Sequence, residues 1–146
     1  MLTGAAAING TGNALANRLT GNGAANMLNG GTGADTLAGG AGHDTFLFNT
    51  ALSATNVDRI TDFVMVDDTI RLENAVFTGL SVGALAANAF TANMSGLATD
   101  VSDRVIYETD TGRLYFDADG TGASQRVLFA VLDTGLAMTA ADFAVI

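Results

Sequence analysis

The sequence predicts an all-β protein: a parallel β-roll of nine-residue repeats, capped by a C-terminal β-sheet region. Three observations carry this. Gly12, Gly21, Gly30 and Gly39 recur every nine residues, as do Asn17, Asn26, Asp35 and Asp44, and as do Leu19, Leu28, Leu37 and Phe46. The chain has 18 glycines and no proline, and most of the glycines precede residue 43. Such a composition suits stacked turns and opposes helices. After Phe48 the period stops, and short alternating segments separated by turns take over. The predicted organisation is therefore a roll over 1–48 and a β-rich cap over 49–146.

Within the roll, each repeat divides into a six-residue turn and a three-residue strand. Glycines at the first, second and fourth slots permit positive φ and hence a tight turn. The strand, such as Thr36-Leu37-Ala38, points its central residue inward. Two repeats complete one coil, so Leu19 should stack on Leu37 in one sheet and Leu28 on Phe46 in the other. The same stacking brings Asn17 beside Asp35 and Asn26 beside Asp44. Oxygen donors from two walls, with carboxylates and unpaired turn carbonyls among them, form the kind of cage that Ca²⁺ takes. A metal-free roll, its turns held by Asn and Asp hydrogen bonds to their own backbone, is the alternative.

Over 49–146 the expected elements are a strand at Val57–Phe63, with Asp58, Asp62 and Arg59 at its polar positions, and a second at Thr69–Leu72 after a turn at Asp67-Asp68. A short helix is expected from Ser81. A hairpin pairs Arg104–Glu108 with Arg113–Asp117 across a turn at 109–112, and Arg126–Leu132 forms another strand. Asp117-Ala118-Asp119-Gly120 invites an EF-hand reading. It fails, because no third acidic slot precedes the glycine and no Glu closes a twelve-residue loop, which leaves a plain turn. The segment Asp142–Ile146, an acidic residue before an apolar run, reads on its own as a final strand.

The formal charge of −9 comes from 15 acidic residues against 6 basic ones. This balance disfavours nucleic acid and anionic membrane surfaces and favours cations. Without cysteine, disulfides and thiolate metal sites are excluded. The start, MLTGAAAINGTG, lacks the basic and apolar regions of a secretory signal, and no apolar run is long enough for a membrane span. No catalytic set emerges: His43, the only histidine, occupies a variable turn slot, and neither a zinc-protease motif nor a GxSxG elbow is present. The sequence is read as that of a non-enzyme.

The repeat resembles the nonapeptide G-G-x-G-x-D-x-U-x of the RTX, or hemolysin-type calcium-binding, proteins, where U is a large apolar residue. Residues 30–47 match every defined slot. In residues 12–29, Asn13 and Asn22 replace the second glycine, Leu15 and Ala24 the fourth, and Asn17 and Asn26 the aspartate. The resemblance implies a parallel β-roll with one to three Ca²⁺ ions between same-side turns. Its ligand slots fall on Gly30, Gly31, Gly33 and Asp35 and on Gly39, Gly40, Gly42 and Asp44, with Asn17 and Asn26 as weaker matches. The stretch D-x-I-x-D-F followed by D-D-T-I-x-L is similar to the segment after the last repeat in secreted metalloproteases and alginate epimerases, which makes Asp58 and Asp62 further ligand candidates. In such proteins an acidic residue and apolar tail form an uncleaved type I secretion signal. The resemblance thus implies a secreted module that folds on Ca²⁺ and engages an exporter through residues 142–146. A fused or separate catalytic domain is an implied partner, and a polysaccharide-binding auxiliary module is the second reading.

Overall fold

A computed structural model describes residues 1–146, and the chain is all-β apart from two single-turn 3₁₀ segments at Ala87–Ala89 and Ala140–Asp142. The first strands follow the nine-residue period: β1 Gly10–Thr11, β2 Arg18–Thr20, β3 Met27–Asn29, β4 Thr36–Ala38 and β5 Thr45–Phe48. They are followed by β6 Asp58–Ile60, β7 Thr69–Leu72, β8 Gly83–Ala84, β9 Phe90–Asn93, β10 Val105–Glu108, β11 Arg113–Phe116, β12 Val127–Val131 and β13 Phe143–Val145. Successive strands of the roll alternate between two sheets, in the orders β1-β3-β5-β7-β13-β8 and β2-β4-β6-β12-β11-β10-β9.

The register is the one the period requires. Leu19 pairs with Leu37, and Leu28 with Phe46, in parallel strands. Gly10 pairs with Leu28, so an irregular half-coil precedes the first regular repeat. Leu2 docks there, donating its N–H to Thr20 O at 2.7 Å and placing its side chain over the Gly10 backbone.

Both sheets run on through residue 48. β6 pairs with β4 and β7 with β5, all parallel, so the coil continues after the sequence period has lapsed. One apolar core joins the whole, from Leu28 in the roll to Val145. Leu28, Leu37, Phe46, Ile60, Ile70 and Leu72 have no exposed surface, each worth about 1.5–3 kcal/mol over an exposed side chain. Edge-to-face aromatic contacts continue this core, Phe48 on Phe129 and Phe77 on both Phe116 and Phe129.

Three expectations are corrected. The segment from Ser81 is not a helix but a two-residue strand, a 3₁₀ turn and strand β9. Gly83 sits at φ +121°, outside helical space, and Leu85 and Ala89 are drawn into the core while Phe90 stacks on Phe143. The strand expected over 57–63 is only Asp58–Ile60, and Asp58 points inward beside Ile60 while Arg59 faces out. Phe63 then turns back into the core beside Phe46. The first-slot glycines do not supply positive φ; only the second- and fourth-slot glycines, Gly31, Gly33, Gly40 and Gly42, lie there. The expected hairpin forms, with Val105 opposite Phe116.

Candidate metal centre

The aspartate and asparagine columns form two ladders along one side of each sheet. In one, Asp35 Oδ1 accepts from Asn17 N at 2.7 Å and Asp58 Oδ1 accepts from Asp35 N at 3.0 Å. In the other, Asp44 Oδ1 accepts from Asn26 N at 2.8 Å and Asp68 Oδ1 accepts from Asp44 N at 3.0 Å. The backbone reinforces each rung: Thr36 N donates to Asn17 O, Thr45 N to Asn26 O, Arg59 N to Asp35 O and Thr69 N to Asp44 O. In Asp35 and Asp44 one carboxylate oxygen therefore orders the stack, and the other is left over.

The leftover oxygens are the decisive feature. Asp35 Oδ2 and Asp44 Oδ2 are buried and have no hydrogen-bond partner. They lie against the Cα of Gly30 and Gly39, where any Cβ would strike them. This close approach is why the first slot is glycine. Gly31 and Gly40 combine positive φ with tight contact to the carbonyls of Asn13 and Asn22 in the neighbouring turn. The carbonyls of Gly30, Gly33, Gly39, Gly40 and Gly42 accept no hydrogen bond from the chain. Orphaned carboxylate oxygens and free carbonyls are an oxygen donor set for a hard cation. No three carboxylate or imidazole side chains converge on one point, so such a cage would be rich in carbonyls.

The asparagine turns solve the same problem internally. Asn17 Oδ1 accepts from Asn13 N and Asn26 Oδ1 from Asn22 N, while Asn13 and Asn22 in turn accept from Leu15 N and Ala24 N. No residue of these turns has positive φ. Asp62 lies at the end of the ladder, both oxygens engaged by Gly39 N and Gly40 N at 2.9 Å. His43 stands outside, exposed, with Nδ1 3.0 Å from Asp67 O.

Stacking carboxylates without a counter-charge is costly, and the electrostatics show it. Burial, with a smaller contribution from the neighbouring Asp35 carboxyl, pushes Asp58 up to about 6. Burial likewise raises Asp44 and Asp68, and Asp62 adds repulsion to both.

The sequence reading missed two members of the ladder. The sequence places Asp68 in a turn, yet it is buried and also accepts from Val64 N. Asn56 receives Gly33 N at 2.8 Å. A signal for Asp68 was present: Asp68-Thr69-Ile70 repeats the carboxylate-x-apolar step of Asp44-Thr45-Phe46. It was hidden because the last coil is longer, with Asp58 23 residues after Asp35 and Asp68 24 after Asp44.

A family model of the RTX calcium-binding nonapeptide repeat matches residues 11–46 in four copies. Residues 11–46 are thus similar to RTX repeats. The match ends at Phe46, so the RTX coil continues structurally through β6 and β7 beyond the repeats that the family model covers. Among solved structures, the chain is similar to the AlgE6R3 subunit from the Azotobacter vinelandii mannuronan C5-epimerase. The TM-score is 0.52 and the identity 24%, over 94% of this chain and 78% of that one. The likeness extends well past the repeats and establishes a shared β-roll architecture for RTX coil and cap together. No curated protein matches the chain. No helix is long and apolar enough to cross a membrane.

Proposed function

We propose that this is a non-catalytic RTX module whose coil closes on Ca²⁺ after export. The single observation behind this is the pair of buried, partnerless oxygens on Asp35 and Asp44, set among free glycine carbonyls. Asp35 and Asp44, with the free carbonyls of Gly30, Gly33, Gly39, Gly40 and Gly42, are the proposed principal ligands, and the Gly31 carbonyl, which accepts from Thr50 Oγ1 at 3.0 Å, ranks below them. Asp58, whose carboxyl neighbours that of Asp35 and whose Oδ1 alone is held by the Asp35 N–H, contributes its second oxygen. Asn17, Asn26 and Asp62 hold the turns in place and rank below these, since their side-chain oxygens are already engaged. Bound Ca²⁺ would supply positive charge between walls that otherwise repel.

The mechanism is linkage between binding and folding. At micromolar or lower free Ca²⁺ a weak site adds nothing and the coil stays loose. At about 20 times the dissociation constant each site adds roughly 1.8 kcal/mol to folding. Two or three such sites approach the total stability of a small domain, on the order of 5 kcal/mol. The absence of cysteine suits this, since no disulfide can trap the chain before export. We further propose that residues 142–146 are read by a type I exporter while unfolded, and that catalysis belongs to a fused or separate domain.

The likeness to a module of a mannuronan C5-epimerase supports a second reading, an auxiliary grip on polysaccharide. With 6 basic residues spread from Arg18 to Arg126, an extended cationic groove for an acidic chain is hard to assemble, so we rank it second. Far-UV circular dichroism in EGTA and in millimolar Ca²⁺ tests the leading proposal. Calcium should restore β signal and raise the melting temperature; identical spectra and melting in both solutions would overturn it. Titrating oligosaccharides into the Ca²⁺-loaded protein tests the second.

A further inference from the structure

Residues 3–8 lie against the first regular coil as one more turn. Gly4, Ala6 and Ile8 stand beside the turn that carries Asn22, Ala24 and Asn26. That turn in its turn stands beside Gly40, Gly42 and Asp44. Gly4 takes φ +99°, the conformation that Gly40 has at +98°. On either side of the segment, Leu2 N donates to Thr20 O and Met27 N donates to Asn9 Oδ1 at 3.0 Å.

Two side chains join residues 3–8 to the coil. Asn22 Nδ2 donates to Gly4 O and to Ala6 O, both at 2.9 Å, and Asn26 Nδ2 donates to Ile8 O at 2.7 Å. Each amide is oriented from its other end, since Asn22 Oδ1 accepts from Ala24 N and Asn26 Oδ1 from Asn22 N. The oxygen thus serves its own turn and the hydrogens serve the neighbouring one. Asn13 and Asn17 fill the matching slots of the other column and make the same turn bonds, but they donate to no carbonyl of another turn.

The next layer of the stack has the same two slots with opposite chemistry. Gly40 and Asp44 replace Asn22 and Asn26, and neither brings a side-chain donor. The carbonyls of Asn22 and Ala24 accept no hydrogen bond from the chain, and Asp44 Oδ2 has no partner. A layer of acceptors alone calls for a cation, whereas a layer with its own donors is already satisfied. The first layer also lacks the charge that Ca²⁺ requires. Residues 1–34 contain no Asp or Glu, so an ion there would meet no carboxylate from either wall.

We propose that Asn22 and Asn26 form an amide clip that holds residues 3–8 on the coil and takes the place of a cation in that layer. The clip itself needs no calcium, and only its consequence for the ion count rests on the Ca²⁺ reading above. Cation layers then begin one coil later, at the turn of residues 39–44. Asn22 and Asn26 fasten the segment that precedes them and bring no ion to it.

The test is ¹⁵N relaxation of the full chain in millimolar Ca²⁺, with a calorimetric Ca²⁺ count alongside. Backbone order parameters over 3–8 should equal those of β3 to β5, about 0.85. Asn22→Ala combined with Asn26→Ala should drop them below about 0.6. Asn13→Ala combined with Asn17→Ala loses the same kind of turn bonds and should leave 3–8 ordered. The ion count should be equal in all three proteins. Wild-type residues 3–8 that are already mobile overturn the proposal, as does a segment that stays ordered in the Asn22/Asn26 variant. One ion fewer in that variant alone overturns the cation-free assignment. The wild type also gives a reading without any substitution: the side-chain amide hydrogens of Asn22 and Asn26 should exchange with solvent more slowly than those of Asn13, and equal rates would overturn the clip. A wild type that binds no Ca²⁺ overturns the calcium reading, and the order parameters still decide the clip.

Discussion

Asp35 and Asn17 occupy the same slot, one coil apart, and differ only in an oxygen against an amide nitrogen. That difference decides what the turn does. The Asn turn satisfies itself, Asn17 Oδ1 taking the Asn13 N–H at 2.7 Å. In the Asp turn the matching N–H, on Gly31, goes to Asn29 Oδ1 instead, and Asp35 Oδ2 is left bare. Asp35→Ala or Asp44→Ala should therefore weaken Ca²⁺ binding by about tenfold or more, roughly 1.4 kcal/mol. Asn17→Ala or Asn26→Ala should change it much less. Calorimetric titration checks the ranking, and equal losses in all four would refute it. Asp58 makes a further test through pH. Its folded value of about 6 lies above the ordinary 3.8, so its protonated form favours folding. That contribution is full below about pH 4 and is lost as pH rises through 6. At roughly 1.4 kcal/mol per pH unit it amounts to something on the order of 3 kcal/mol. In EGTA the melting temperature should fall between pH 4.5 and 7.5, and Asp58→Asn should flatten that slope. Asp44 and Asp68, raised by burial, act in the same direction. A wild-type melting temperature that climbs over this range in EGTA would contradict the assignment.

At the scale of elements, legibility followed the strength of local rules. The strands β2 to β4 are placed to the residue, and β5 to within one, because the nine-residue period, the first-slot glycine and the apolar slot agree at every copy. The ladder pairs Asn17–Asp35 and Asn26–Asp44 followed from the same arithmetic. Asp68 and Asn56 escaped because the enlarged last coil breaks the spacing while keeping the geometry, which only three-dimensional stacking reveals. The helix expected from Ser81 failed for a different reason. Alanine favours a helix locally, but Leu85, Ala89 and Phe90 are claimed by the core and by pairing of β9 with β10. Tertiary contacts overrode propensity there. The first-slot glycines teach a related point: the residue type was legible, but its cause, a carboxylate pressed on the Cα, was not. Gly30→Ala should consequently cost more than Gly23→Ala, whose Cβ would meet nothing within 4 Å. We expect a loss of about 1–3 kcal/mol for the first and little for the second, read from thermal melts in Ca²⁺.

At the scale of the whole molecule, the C-terminal segment carries a proposed export role alongside a structural one. Residues 142–146 read in the sequence as a final strand and, through the RTX resemblance, as an exporter signal. In the fold β13 is an interior strand: Phe143 and Val145 are 2% exposed, and it lies between β7, parallel, and β8, antiparallel. Asp142 and Thr139 form a reciprocal capping box that sets its entry. Ile146 N and O bond Leu72 O and Asn74 N, so the pairing with the end of the RTX coil extends one residue further. A segment buried this way cannot be read by any receptor while the domain is folded. The two roles are compatible only in sequence: recognition of the unfolded segment first, incorporation as β13 afterwards. On the proposal that the coil closes only on Ca²⁺, the required delay follows, because β13 needs a formed β7 to pair with. Deleting Asp142–Ile146 should thus do two separable things. It should reduce passage through a type I exporter, and it should lower the melting temperature in Ca²⁺, since Phe143 and Val145 each carry about 1.5–3 kcal/mol of burial. Phe143→Ala separates them: the truncated ring leaves a core void beside Phe90, costing about 3–5 kcal/mol, while most of the segment remains to be read. Normal export of the deletion variant would remove the signal role and leave β13 a purely structural strand. Impaired export with unchanged melting would be equally informative, because it would mean that the strand is not part of the folded core.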